Sequence, residues 1–101
     1  MIQDIDRTIH EPARQLLLIY LFSVEQADFT FLKKQTGMTQ GNLSSHLSKL
    51  ENAGYIQSDK LFKNKRPMTL ISISDTGRKA FTTYVKAMHL YFSDLMQMVD
   101  I

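Results

Sequence analysis

TGMTQGNLSSHLSKLENAGYI, residues 36–56, decides the reading of the fold. Leu43, Leu47 and Leu50 recur at the spacing that lines one side of an α-helix. Thr39 is suited to cap that helix at its start and Gly54 to stop it. The polar positions between the leucines are Asn42, Ser44, Ser45, His46, Ser48 and Lys49. Surface helices usually fill such positions with Glu and Lys, because Ser and Asn are indifferent helix formers. At about 100° per residue, Gly41, Ser45, Ser48 and Asn52 lie opposite the leucines. Asn42 and Lys49 flank one edge and Ser44 the other, while His46 lies near the leucine side and is expected to be half-buried. For His46 a packed, hydrogen-bonded role is weighed above its functional alternative, a phosphate contact.

The outward face is therefore short, hydrogen-bonding and free of acid. A helix that enters the DNA major groove needs those properties. Its backbone must come close to the bases, Asn and Ser can pair with base edges, and carboxylates would be repelled by phosphate. Gly41 permits close approach, and a helix N-terminus favours an anion. A merely Ser-rich surface helix is the plainer reading, but it leaves the cost in helix propensity without a reason.

Working outward, Pro12 suits a first helical turn, and Leu16, Leu17, Ile19, Tyr20 and Val24 give a broad apolar stripe over 12–24. A short helix over 30–36 follows, with Thr30 as its cap, Phe31 and Leu32 facing inward and Gly37 ending it. The tight 36–39 connection between two helices is helix-turn-helix spacing. After Gly54 the pattern changes. YIQSDKLFK and the alternating TLISIS read as strands, with Thr69, Ile71 and Ile73 on one face and KNKRP as a polar connector. Ser74 then caps a long last helix over 75–98. The order helix, helix, turn, helix, hairpin, helix predicts a mainly α fold with a small β-hairpin, the winged helix-turn-helix, in one domain over 1–101 with its core in 12–80.

Lys60, Lys63, Lys65 and Arg66 crowd the hairpin, and residues 60–74 hold no acid. Lysines on an exposed hairpin can serve only to block edge-to-edge aggregation. A wing lying along the DNA backbone or in the minor groove accounts for the crowding as well. Charge follows the same division. Residues 29–66 carry seven basic and two acidic side chains, a balance of +5, against −3 for the rest of the chain, which together make the net +2. A basic middle between acidic ends is the footprint of an anion-binding surface.

The last helix has more apolar surface than one stripe can use. Tyr84, Met88, Tyr91 and Leu95 form one line, with Phe81, Val85, Phe92 and Val99 beside it. A second copy of the chain, in a two-fold interface over Tyr84, Met88, Tyr91, Phe92, Leu95, Met96 and Val99, is the simplest cover. A ligand cavity is the rival, since aromatic and Met side chains also line pockets. Ile2, Ile5 and Ile9 are placed to join the same interface.

There is no cysteine, which excludes disulfides, thiolate metal sites and cysteine nucleophiles. The longest apolar run, Leu16–Phe22, is far short of the roughly 20 residues that span a bilayer. The opening MIQDIDRTIH lacks the apolar segment of a secretory signal. A cytoplasmic protein is expected. No phosphate-binding glycine loop, HExxH or nucleophile elbow is present, and Ser45 and His46, as helix neighbours, point in different directions, so an enzyme is not expected.

GMTQGNLSSHLSKLENAGYI (37–56) and ISISDTGRKAF (71–81) resemble the small winged-helix regulators of the MarR and ArsR superfamily over roughly residues 14–80. The likeness lies in the capped helix with Leu-Ser-x-His-Leu, in Leu-Glu-x-Ala-Gly-Tyr-Ile opening the wing, and in Ser-x-x-Gly at the last helix. It implies a bacterial or archaeal transcriptional regulator that binds double-stranded DNA as a homodimer. Recognition then falls to the third helix, with Thr39, Gln40, Gly41, Asn42, Ser44, Ser45, His46, Ser48 and Lys49 as its contact residues. Lys63, Lys65 and Arg66 of the wing meet the backbone or minor groove. Repression is the expected sign. Metal sensing is disfavoured, since cysteines are absent and His10, His46 and His89 make no ligand pair. No cofactor is implied, and an unidentified small-molecule effector stays open as a partner. The competing class is a winged-helix protein-interaction module that has lost DNA binding, which an apolar or acidic third helix would favour.

Overall fold

The computed structural model describes residues 4–99. Pro12 opens the first helix, α1 (Pro12–Phe22), and the Glu11 carboxylate caps it by accepting the Arg14 N–H at 2.8 Å. The buried arc of α1 is Arg14, Leu17, Leu18 and Leu21. This corrects the expected stripe: Leu16 and Ile19 are exposed, and Val24 lies exposed beyond the helix end. In a run as apolar as LLLIYLF, periodicity cannot choose between neighbouring arcs. The buried arc takes in Arg14 with its three leucines, and the guanidinium is tolerated there because it finds acceptors inside.

A two-residue strand, β1 (Ala27–Asp28), leads into α2 (Phe29–Thr36). Asp28, not Thr30, caps α2, its carboxylate accepting the Thr30 N–H at 3.3 Å. Leu32 is the buried residue of α2, whereas Phe31, expected inward, is 46% exposed. Gly37 ends the helix in the left-handed region, φ 71°, donating its N–H to the Lys33 carbonyl. Thr39 Oγ1 accepts the Asn42 N–H at 3.2 Å and starts α3 (Gln40–Asn52), which buries Leu43, Leu47 and Leu50.

Strands β2 (Ile56–Lys63) and β3 (Arg66–Ile73) pair antiparallel from Ile56↔Ile73 to Lys63↔Arg66. The short β1 adds to the other side of β3 through Ala27↔Ile71 and Asp28↔Leu70, giving the order β1-β3-β2. The sheet is thus three-stranded rather than a bare hairpin, and β1 is too short to leave a periodic signal. The connector is also tighter than KNKRP suggests. Only Asn64 and Lys65 turn, both at positive φ (52° and 63°), as a two-residue type I′ hairpin requires. Pro67 lies within β3 opposite Phe62, where no third strand needs its missing N–H, because β1 reaches only Leu70 and Ile71.

The last helix, α4 (Asp75–Val99), is stapled to the base of the wing. Ser74 Oγ donates to the Gly54 carbonyl at 2.6 Å and accepts the Gly77 N–H at 2.9 Å. Gly77 packs so tightly that a Cβ there would stand 2.1 Å from the Tyr55 carbonyl oxygen. Phe81 and Tyr84 are the large side chains that α4 buries. Tyr84 is 8% exposed, and its hydroxyl accepts from Gln15 Nε2 and pairs with His10 Nδ1, both at 2.8 Å. It belongs to this chain's own core, which corrects its expected place in an interface between copies. Ile9 is likewise fully buried in the core and Ile5 packs on it, while Ile2 lies outside the described residues.

Beyond Tyr84, α4 leaves the body. At 1.5 Å per residue its 25 residues span roughly 37 Å. The molecule measures 60 × 25 × 21 Å with a radius of gyration of 15.7 Å, against about 13 Å for a compact chain of this length. Val85, Tyr91, Phe92, Leu95, Met96 and Val99 are exposed on the projecting part, and Met88 packs partly on the core. Among the described residues no helix is long and apolar enough to cross a membrane.

Candidate nucleic-acid interface

With its leucines turned into the core, α3 presents Thr39, Gln40, Gly41, Asn42, Ser44, Ser45, Ser48 and Lys49 to solvent. Nothing lies within 4 Å of the position a Gly41 Cβ would take, so that part of the helix surface is open. The helix puts these residues together on one exposed face, as its periodicity dictates.

His46 sits apart from them. Its side chain is 20% exposed, and Nδ1 lies 3.1 Å from Arg14 Nη1 and 3.9 Å from Glu11 Oε1. A guanidinium can only donate, so Nδ1 must accept, and the ring proton is carried on Nε2. Half-burial is as the sequence indicates. The imidazole holds α3 against α1 and supplies an acceptor to a cation that is only 9% exposed.

The tight turn brings Lys63, Lys65 and Arg66 together at the wing tip, with Lys63 and Arg66 directly opposite across the strands. Like charges in that register cost sheet stability. All three side chains are exposed. The clustering thus has no folding benefit within the chain, and a polyanion laid along the wing would relieve it.

Strand alternation adds Ser58 and Phe62, which charge counting misses, and places Lys60 beside them. Ser58, Lys60 and Phe62 share a face with buried Ile56, across from Ile71, Thr69 and Pro67. That face continues outward from the core and forms one wall of a groove against α3. Gln40, Ser44 and Ser48 line the opposite wall, and Ser58, Lys60 and Thr69 the wing side. One acid, Glu51, also lines it. The period-2 pattern from Ile56 was sufficient to place Ser58 and Lys60 there. Phe62, farther out, is 74% exposed beside the basic tip.

The base of the wing is fixed by Tyr55, whose hydroxyl donates to Asp6 Oδ2. That bond, then burial, then the Asp6 charge push its pKa up from 10.0 to about 12. Burial also raises the Tyr84 pKa, partly offset by its bond with Gln15. Neither phenol is poised for proton transfer near neutral pH. Among the described residues no cluster of His, Asp and Glu could hold a metal ion.

Residues 13–92 match the family profile of a winged helix DNA-binding domain. An uncharacterized protein of Methanocaldococcus jannaschii is 38% identical over 72 residues, 71% of this chain and 78% of its own. Among solved structures, a transcriptional regulator homologue from Pyrococcus horikoshii superposes with a TM-score of 0.85 at 27% identity, covering 89% of both chains. MarR shares the fold, with a TM-score of 0.75 at 16% identity over 91% of this chain and 66% of its own.

Proposed function

Because the chain belongs to the winged helix DNA-binding domain family, we propose that it is a sequence-specific transcriptional regulator that binds duplex DNA as a homodimer. The observation that carries this reading is the pairing of an acid-free Ser/Asn face on α3 with a wing tip where Lys63, Lys65 and Arg66 converge. In this reading α3 enters the major groove. Asn42, Ser45 and Ser48 reach base edges, and the wing cations hold the backbone or the minor groove.

The homodimer rests on α4. Its outer half carries Tyr91, Phe92, Leu95, Met96 and Val99, all left exposed among the described residues. A patch of that kind on a helix projecting from the body suits a two-fold interface. Two recognition helices would then meet successive major grooves about 34 Å apart. Such a dimer on a promoter excludes polymerase, which makes repression the expected sign of regulation. In this reading the winged helix domain acts as one DNA-binding unit without a catalytic step.

Selection from a randomised duplex library, followed by sequencing, tests the proposal. A palindrome with half-sites about one helical turn apart is the expected product. Absence of binding even at low salt would refute it and leave a protein-interaction module in its place.

A further inference from the structure

The wing groove lies on one edge of α3. On the other edge, toward α1, a cleft of about 400 Å³ is lined by Arg7, Thr8, Arg14, Lys49, Asn52 and Ala53. Three of these six residues are cations and none is an acid. Arg7 and Lys49 are exposed. Arg14 is 9% exposed, and its described side-chain partners are neutral: Nε donates to the Thr8 carbonyl and Nη1 to His46 Nδ1. Its Nη2 amino group has no hydrogen-bond partner among the described residues, where no fully buried side-chain nitrogen goes unsatisfied, so Nη2 is not fully buried.

A guanidinium so deeply set is costly unless a negative charge answers it. Glu11 and Asp6 carry charge nearby but make no hydrogen bond to the guanidinium. Glu11 caps α1 and lies 3.9 Å from His46, and Asp6 accepts from Thr8 N–H, Ile9 N–H and the Tyr55 hydroxyl. Lys49, in the last turn of α3, offsets the helix dipole. That role explains Lys49, and the Thr8 carbonyl and His46 hold two sides of Arg14, which leaves Arg7 and the Nη2 side of Arg14 in the same cleft without a folding role.

Position supplies the reason. A helix lying in a major groove about 12 Å wide has a phosphate backbone on each side of it. The wing serves one side. We propose that Arg7, Arg14 and Lys49, with Thr8 and Asn52, form a second phosphate-binding site that holds the strand on the side of α3 away from the wing. The inference rests on the DNA-binding reading above. Arg14 offers its Nη2 edge as a fixed donor, and Arg7 and Lys49 close over the phosphate from the rim. Because His46 accepts from the same guanidinium, the site is tied directly to the recognition helix.

The test uses the full chain as wild type, Arg7→Ala/Lys49→Ala, and the wing variant Lys65→Ala/Arg66→Ala. Arg14 is left in place because its removal would disturb the core. Duplex affinity is measured over a range of salt concentrations, and phosphate binding is followed by the NMR signal of the Arg14 Nε–H during an inorganic phosphate titration. The rim variant is expected to melt like wild type and to bind any duplex at least about tenfold more weakly at physiological salt. Its plot of log affinity against log salt should be shallower by about 0.9 per phosphate released. Wild-type binding with an unchanged rim variant would overturn the site while leaving the wing and the DNA reading intact. If wild type binds no duplex, the functional reading fails instead. A saturable phosphate shift that the rim variant abolishes would then reassign the cleft to a small phosphorylated ligand, and no shift would overturn the site as well.

Discussion

Two glycines in helices should respond oppositely to the same change. Gly41 is in the first turn of α3 with nothing within 4 Å of its would-be Cβ. Gly41→Ala therefore lowers the entropy of the unfolded chain without strain in the fold, a gain of about 0.4–1 kcal/mol. Gly77 has the same propensity to gain, but its Cβ would stand 2.1 Å from the Tyr55 carbonyl oxygen, where real Cβ atoms essentially never come under 3.0 Å. The start of α4 must retreat by about 1 Å, the difference between those two distances. Retreat strains the Ser74 staple, with its 2.6 Å bond to the Gly54 carbonyl and its N–H on the Tyr55 carbonyl at 2.9 Å. Overpacking costs about 1–3 kcal/mol and each weakened hydrogen bond about 1 kcal/mol. After the propensity gain, Gly77→Ala should lose about 2–4 kcal/mol, lowering the melting midpoint by roughly 10–20 °C. Urea and thermal unfolding at one fixed protein concentration measure both, since an oligomer's stability depends on concentration. Gly41→Ala should also bind duplex more weakly, because its methyl group occupies the face offered to the groove. A Gly77→Ala protein as stable as wild type would refute the close packing of α4 on the wing base. A stabilised Gly41→Ala protein with undiminished binding would refute the placement of α3.

Lys65→Ala/Arg66→Ala should weaken binding to all duplexes and flatten the salt dependence by about 0.9 for each phosphate no longer neutralised; an unchanged slope removes the wing from the interface. His46→Ala should destabilise the fold by about 1–3 kcal/mol by taking the acceptor from Arg14 Nη1. Equal stability in urea would mean that this hydrogen bond is idle. The Tyr55 pKa is raised from 10.0 to about 12, so its hydrogen bond with Asp6 contributes stability below pH 10 that is lost as pH rises through 12. Tyr55→Phe should abolish that part of the alkaline loss, as followed by unfolding at a series of pH values. Leu95→Asp on the exposed half of α4 should give a folded monomer in sedimentation, and a species of unchanged mass would exclude α4 from the dimer interface.

α3 was legible because its leucines obey one period, and because Gly37, which ends α2, and Thr39, which caps α3, have a chemistry that permits few other placements. What escaped has identifiable causes. The strand Ala27–Asp28 is shorter than any period, and the turn at Asn64–Lys65 is hidden because neither residue is glycine although both adopt positive φ. The arc of α1 was misplaced because Arg14, a charged residue, belongs to the buried side while Leu16 and Ile19 do not.

That misplacement concerns function as much as fold. Apolar periodicity reports that a side chain will be covered, not by which chain. On α4 it ran Tyr84 together with Tyr91, Phe92 and Leu95, although the first is buried against His10 and Gln15 of its own chain and the others stay exposed among the described residues. Only the fold separates the two groups, and the separation strengthens the case for a partner: what remains exposed is confined to the part of α4 that projects from the body. Arg14 poses the converse problem. A charged side chain drawn into the core reads as an error in the pattern until its acceptors are seen, and those acceptors tie α1 and the Thr8 carbonyl to His46 on α3. The buried cation is thus linked to α3, the helix proposed to read the DNA, on the edge where the proposed second backbone would run.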